Sequence, residues 1–209
     1  MNNLNYFTKM AVPLVGFTLL TLTGCANRVP INLSATDVTH VNQASAWEMQ
    51  GKLAVRTSDD KFSTNLYWLH TQASNELRLT TMLGTTVMSL TSDSTGSTLE
   101  LDGKTYHDAD AERLLKRLTG WSIPVATLPL WITGQISPSD ELLSQDEQLR
   151  PISARSTNSP SPWQVTFNSW QVQSGAQLPR LLQLSRDDVR LKIQINQWQA
   201  LAPTPNNAG

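Results

Sequence analysis

From Trp47 onward the chain alternates. Trp47, Met49, Gly51, Leu53 and Val55 fall on one face of an extended segment, with Gln50, Lys52 and Arg56 on the other. That period of two marks a strand with one buried side. Phe62, Thr64, Leu66 and Trp68 repeat it with Ser63 and Asn65 opposite, and shorter runs follow at Leu77 and Leu79, Met88 and Leu90, and Leu99 and Leu101. Turn-forming clusters separate the runs at Ser58-Asp59-Asp60, Ala73-Ser74-Asn75, residues 92–96 and Asp102-Gly103. Asp-Gly is a two-residue hairpin signal, because both central positions take positive φ. The pattern predicts a consecutive antiparallel meander with one apolar face.

The period then changes. Ala111, Leu114, Leu115 and Leu118 match i, i+3, i+4, i+7, which predicts a helix. Asp108 is placed to N-cap it; Asp110 and Glu112 fall in the first turns, Lys116 and Arg117 in the last, and Gly120 just beyond. Those charges oppose the helix dipole, and glycine accepts the left-handed terminal conformation. A second short helix is expected over Leu128–Ile132, ending at Gly134, with Pro129 tolerated in its first turn and Leu128, Trp131 and Ile132 as its apolar face. Residues 137–162 are polar, rich in Ser and Pro, and read as a connection. Alternation returns at Trp163, Val165 and Phe167, then Leu182 and Leu184, then Leu191, Ile193 and Ile195. Strands, two helices, strands: the order fits a mainly β fold with a helical insert, a curved antiparallel sheet or open barrel with the helices against one opening. Upstream, residues 40–47 suggest a short helix and residues 27–39 a polar tether.

The N-terminus differs from all of this. Lys9 precedes the apolar run 11–22, which leads to Thr23-Gly24-Cys25. A charged lead, a short apolar core and small residues at the cut describe a secretory signal, too short to span a bilayer. Leu22-Thr23-Gly24-Cys25 resembles the lipobox of bacterial lipoproteins, in which the cysteine is lipidated. Cys25 is the only cysteine in 209 residues, so an internal disulfide and a Cys-based metal site are excluded. An acylated cysteine carrying two or more chains anchors stably. In the lipobox pattern an Asp after the cysteine favours the inner membrane. Ala26 stands there, which directs the expectation to the outer membrane, facing the periplasm.

Cleavage would remove one lysine and no acid, leaving 15 basic against 17 acidic groups in 185 residues. Nothing there suggests nucleic acid, whose binding proteins show clustered basic faces. A chain of that length makes one domain, and all seven tryptophans lie in it. Chemistry is harder to find. His40, His70 and His107 form no metal-ligand spacing, and there is no nucleophile elbow or phosphate loop. Asp59-Asp60 and Asp187-Asp188 are adjacent carboxylates in turn positions, where solvated charge is the ordinary reading. The residues support no enzyme, no cofactor and no metal.

The inward apolar positions leave two readings open. On a closed small barrel Met49, Leu53, Phe62, Leu66, Trp68, Met88, Leu99 and Leu101 simply fill the core. On an open barrel covered by helices, with Leu114, Leu118 and Trp131 above, the same residues line a dry pocket able to hold acyl chains. Periodicity does not choose between them.

Several segments resemble the LolB family of outer-membrane lipoproteins. They are Gly51-Lys52-Leu53-Ala54-Val55-Arg56 after Trp47, Tyr67-Trp68, and Leu77-Arg78-Leu79-Thr80-Thr81-Met82-Leu83-Gly84. Tyr106, Ala111-Glu112, Gly120-Trp121-Ser122-Ile123-Pro124-Val125, Leu128, Trp131-Ile132 and Gly134 continue the match. A weaker similarity covers Trp163-Gln164-Val165 and Leu191-Lys192-Ile193, ending near Trp198. The resemblance implies an incompletely closed antiparallel β-barrel with a helical lid over an apolar cavity. It implies a receptor that accepts acylated lipoproteins from a periplasmic carrier of the LolA type and inserts them into the outer membrane, as a monomer, without nucleotide or metal. It also implies that Met82, Leu83 and Gly84 form a protruding loop that enters the membrane; the family's loop reads Pro-Leu-Gly, so the proline is missing here. The chain then divides into a signal peptide (1–24), a lipidated tether (25–39), one binding domain (40–201) and a flexible tail (202–209). The alternatives from other classes are a structural envelope lipoprotein and a general lipid binder without handover.

Overall fold

The computed structural model describes residues 32–157 and 161–204. The expected signal peptide, Cys25 and the end of the tail lie outside the described residues. Twelve strands form one antiparallel sheet: β1 (Leu33–Thr36), β2 (Ala46–Arg56), β3 (Lys61–Thr71), β4 (Ser74–Thr80), β5 (Thr86–Asp93), β6 (Gly96–Leu101), β7 (Lys104–Asp108), β8 (Asp140–Gln145), β9 (Pro151–Ser156), β10 (Gln164–Gln173), β11 (Ala176–Arg186) and β12 (Val189–Pro203). The spatial order is β7-β6-β5-β4-β3-β2-β12-β11-β10-β9-β8, with β1 on the far stretch of β12. The two chain-order meanders meet where β2 pairs with β12, and β7 and β8 are left as unpaired edges. This is the incompletely closed barrel that the element order predicted.

The β2–β3 pair follows the alternation without a break, from Ala46 opposite Thr71 to Arg56 opposite Lys61. One position on β2 demands glycine for contact reasons. A Cβ on Gly51 would fall 2.0 Å from the Gln194 carbonyl oxygen, beside the register shift between Ile195 and Gln197. The Asp102-Gly103 hairpin has φ of 52° and 72°, the positive pair that such a turn requires.

Between β7 and β8 stand α1 (Ala111–Thr119) and α2 (Leu128–Ile132). Gly120 closes α1 in the left-handed region, its N–H donating to Lys116 O at 3.0 Å. The cap at the other end differs from the expectation: Asp110, not Asp108, accepts from Arg113 N, at 2.7 Å. Asp108 ends β7 and takes another task. Its carboxylate receives Arg113 Nε at 2.9 Å and Arg117 Nη1 at 2.8 Å, tying the outer side of α1 to the sheet.

Three further expectations change. Residues 40–47 hold only a 3-10 turn, Val41–Gln43, before β2 begins. The stretch taken as tether contains β1, paired from Leu33 opposite Pro203 to Thr36 opposite Ala200; for the same reason Ala202 and Pro203 belong to β12 and not to a tail. The polar connection 137–162 contains β8 and β9. β8 is the edge strand and is exposed on both faces, and β9 beside it buries only Ala154, so almost no buried face imposes an alternation to read.

Candidate functional site

Inward side chains form cross-strand rows. One row runs Trp198, Met49, Trp68, Leu77, Leu90, Leu99, Tyr106. The next, nearer the open end, runs Ile195, Gly51, Leu66, Leu79, Met88, Leu101. The first row is packed shut. The second borders a cavity of about 220 Å³.

Trp68, Leu77 and Leu90 form the floor of this cavity; Leu66, Leu79, Met88 and Leu101 wall it, and Leu53, Val55 and Phe62 carry the wall toward the turns. The helical insert covers it with Leu115, Thr119, Trp121, Ile123, Val125 and Leu128. Its lining reaches Val87 and Asp102 at the ends of β5 and β6. Nearly every lining group is hydrocarbon, so water gains few hydrogen bonds there and an apolar ligand is the fitting occupant.

Of the residues read as cavity-lining from the sequence, Leu53, Phe62, Leu66, Trp68, Met88 and Leu101 do line it. Met49, Leu99, Leu114, Leu118 and Trp131 do not. Met49 and Leu99 flank the floor in the filled row and are buried there. On α1 the i, i+4 pair Leu115 and Thr119 turns to the cavity, leaving Leu114 in the core beside it and Leu118 packed against that core. Trp131 is fully buried and donates Nε1–H to Asp140 Oδ2 at 2.9 Å. Both readings of the inner face therefore hold, at different heights: the barrel is a solid core toward one end and hollow toward the other.

The linker between the helices was not read as lining, since residues 120–127 have no periodicity. Its order comes from single contacts. Trp121 stacks on Phe62 with ring centroids 5.0 Å apart and 21° between planes. Arg186 donates to the Ser122 carbonyl at 2.8 Å, and the Ser122 hydroxyl bonds to Glu112.

Residues 81–85 connect β4 and β5 as a tight hairpin. Thr81 N donates to Thr85 O at 2.8 Å and Gly84 N to Thr81 O at 3.0 Å, with Gly84 at φ 87°: a three-residue loop whose glycine sits in the left-handed region. The base is clamped from β3 by Asn65 Nδ2 to Thr81 O at 3.0 Å and Thr64 Oγ1 to Thr80 O at 2.6 Å. At the tip Met82 is 85% and Leu83 96% exposed. Among the described residues no cluster of three or more His, Cys, Asp or Glu could hold a metal ion, and no helix is long and apolar enough to cross a membrane.

Comparison with known proteins agrees with this geometry. The profile described as "Outer membrane lipoprotein LolB" matches residues 45–198. The outer-membrane lipoprotein LolB of Shewanella loihica is 62% identical over 97% of this chain and 94% of its own; that of Shewanella woodyi is 60% identical over 98% and 96%. Among solved structures, a LolA-superfamily protein from Nitrosomonas europaea superposes with a TM-score of 0.51 at 8% identity, over 80% of this chain and 90% of that one. A DUF1329-family protein from Desulfovibrio piger gives 0.51 at 5% identity, over 79% and 88%. At such identities these two likenesses concern the fold alone. The profile match and the Shewanella relatives concern the sequence itself: the chain belongs to the LolB family of outer-membrane lipoproteins.

Proposed function

We propose that the cavity beneath α1 and α2 accepts the acyl chains of a lipoprotein handed over by a periplasmic carrier, and that the 81–85 hairpin passes them into the outer membrane. As a LolB-family member the chain acts in lipoprotein localisation and is not an enzyme. The finer statement rests on one observation: an apolar cavity and a fully exposed leucine occur at the same end of the barrel. In this reading Cys25 carries the lipid that holds the chain at the membrane, and a monomer suffices. Moving an acyl chain between two apolar cavities buries similar area on both sides, so the net driving force is only about a few kcal/mol. Slightly tighter binding here than in the carrier sets the direction, and no nucleotide is needed. The cavity lies below the several hundred Å³ usual for ligand pockets, so loading enlarges it. Trp121 and Ile123 are the movable wall, as they are held by one ring stack and one linker and not by a strand ladder. The test mixes the chain, made without its own lipid, with a carrier loaded with acylated lipoprotein. Cargo is expected to co-purify with this chain without ATP; cargo that stays on the carrier at equal concentrations overturns the receptor reading.

A further inference from the structure

The outer face of the central strands carries a surface of different character. Arg56 of β2 lies directly opposite Lys61 of β3 on one side and Arg190 of β12 on the other. Lys192 follows two residues along β12, opposite Ala54. These four cations line a groove of about 620 Å³ together with hydroxyl and amide groups such as Ser63 and Gln183, and among the described residues no carboxylate lines it.

Like charges directly opposite one another on neighbouring strands are destabilising. Here three stand in succession, and among the described residues none of the four cations has an ion-pair partner within 4.0 Å. Carboxylates are close by, and Asp188 feels the charge of Arg190, but their oxygens bond to serines and not to the cations. Asp188 accepts from Ser58 N at 3.3 Å and Ser58 Oγ at 3.0 Å, and Asp187 accepts from Ser161 Oγ at 2.6 Å. Arg190 donates to the Asp187 carbonyl at 2.9 Å, which leaves its charge in place. Asp59, Asp60, Asp187 and Asp188 all sit in the two turns beyond the row, so an anion meets the cations on the face of the sheet and not at the turn tips.

We propose that Arg56, Lys61, Arg190 and Lys192 form a docking surface for the anionic headgroups of a phospholipid bilayer, laying this face on the membrane at the end that carries Leu83. The inference deepens the delivery reading and rests on it for placing that end at the bilayer. Guanidinium and ammonium groups donate charge-assisted hydrogen bonds to phosphate oxygens. A bilayer fits better than an acidic protein segment, because the β2–β3 turn, the 81–85 hairpin and the β11–β12 turn share one end of an antiparallel sheet. Basic groups beside an exposed apolar tip supply the two signals that interfacial binding needs.

The test floats the chain, without its lipid, with vesicles of phosphatidylcholine alone and of phosphatidylcholine with phosphatidylglycerol. The anionic lipid is expected to strengthen binding, and salt to remove the gain. The variant Arg56→Gln/Lys61→Gln/Arg190→Gln/Lys192→Gln should lose that gain, roughly fivefold per cation removed. Its melting temperature should be unchanged or higher, since repulsion is relieved; Arg56→Lys/Arg190→Lys should keep most of the gain. Equal binding to both vesicles, or a gain that survives in the quadruple variant, overturns the proposal. So does a variant that keeps the gain but takes cargo poorly from the carrier, which would make the groove a protein-docking face. Delivery of preloaded cargo into neutral phosphatidylcholine vesicles tests the delivery reading separately. Normal delivery without an anionic gain removes only the docking surface, and failed delivery with the gain intact removes only the delivery reading.

Discussion

Leu83 stands almost wholly in water, and a leucine so placed forgoes roughly 1.5–3 kcal/mol of burial. The turn offers no local relief: its hydrogen bonds close residues 81–85 on themselves, leaving the tip without a surface to fold onto. Entry into a bilayer would recover that burial. Leu83→Glu should therefore melt within a degree or so of the parent and take up cargo normally, yet deliver poorly to vesicles, because a carboxylate in an apolar phase is strongly disfavoured. Leu83→Ala should fall between the two. Thermal unfolding, uptake from the carrier and transfer to vesicles separate the cases; unfolding by Leu83→Glu, or normal delivery, defeats the role. This residue was legible only through its resemblance to a family loop. An isolated turn leucine by itself reads as one that folds back. Trp121, Ile123 and Val125 were invisible as lining for a related reason, since a segment ordered by a few isolated contacts leaves no periodic trace.

At the level of elements, α1 shows how a cap and an anchor can be confused in a sequence. The sequence alone puts the cap on Asp108 and places Asp110 inside the first turn. The fold assigns the cap to Asp110 and makes Asp108 the fastening of α1 to β7. Arg113 beside it, helped by the Asp110 N–H and by Arg117, holds the Asp108 carboxyl well below the usual carboxylate range, though its side chain is only 9% exposed. A depressed folded-state value means that the charged form stabilises the fold. That contribution is complete above about pH 4, the unfolded value, and is lost as pH falls from there toward the folded value. Asp108→Asn should lower the melting temperature at pH 7 and flatten its decline below about pH 4, as followed by circular dichroism. An unchanged acid limb would show that the fastening does not carry this stability. The strands tell the complementary story. β2, β3 and β12 were plain in the alternation because one face of each is buried. β8 and β9 were not, because an edge exposed on both sides permits any pattern and its neighbour buries a single alanine; β1 is too short to show one.

For the whole molecule, the choice between filled core and pocket was undecidable from the residues because a side chain at a given register looks the same whether its neighbour is protein or space. Height along the barrel decides it, and height is set by the pairing of β2 with β12 and by where the insert lands.

The unpaired edges have a mechanical consequence. β7 and β8 exchange no backbone hydrogen bonds with each other; α1 packs on β6 and β7, and α2 on β11. The seam of the barrel is thus closed by side chains, whereas every other joint is closed by amides. A wall of that kind can swell to the size of its contents, since widening it exchanges one apolar contact for another and breaks no ladder. Amide hydrogen exchange should map this directly. The amides of β2 and β12 should exchange slowly and at the same rate whether the protein is empty or full. Those of residues 111–132 should be faster when it is empty and change most on loading. Uniform slowing across all strands on loading would mean instead that the barrel tightens as one body, and that the seam is not where it gives.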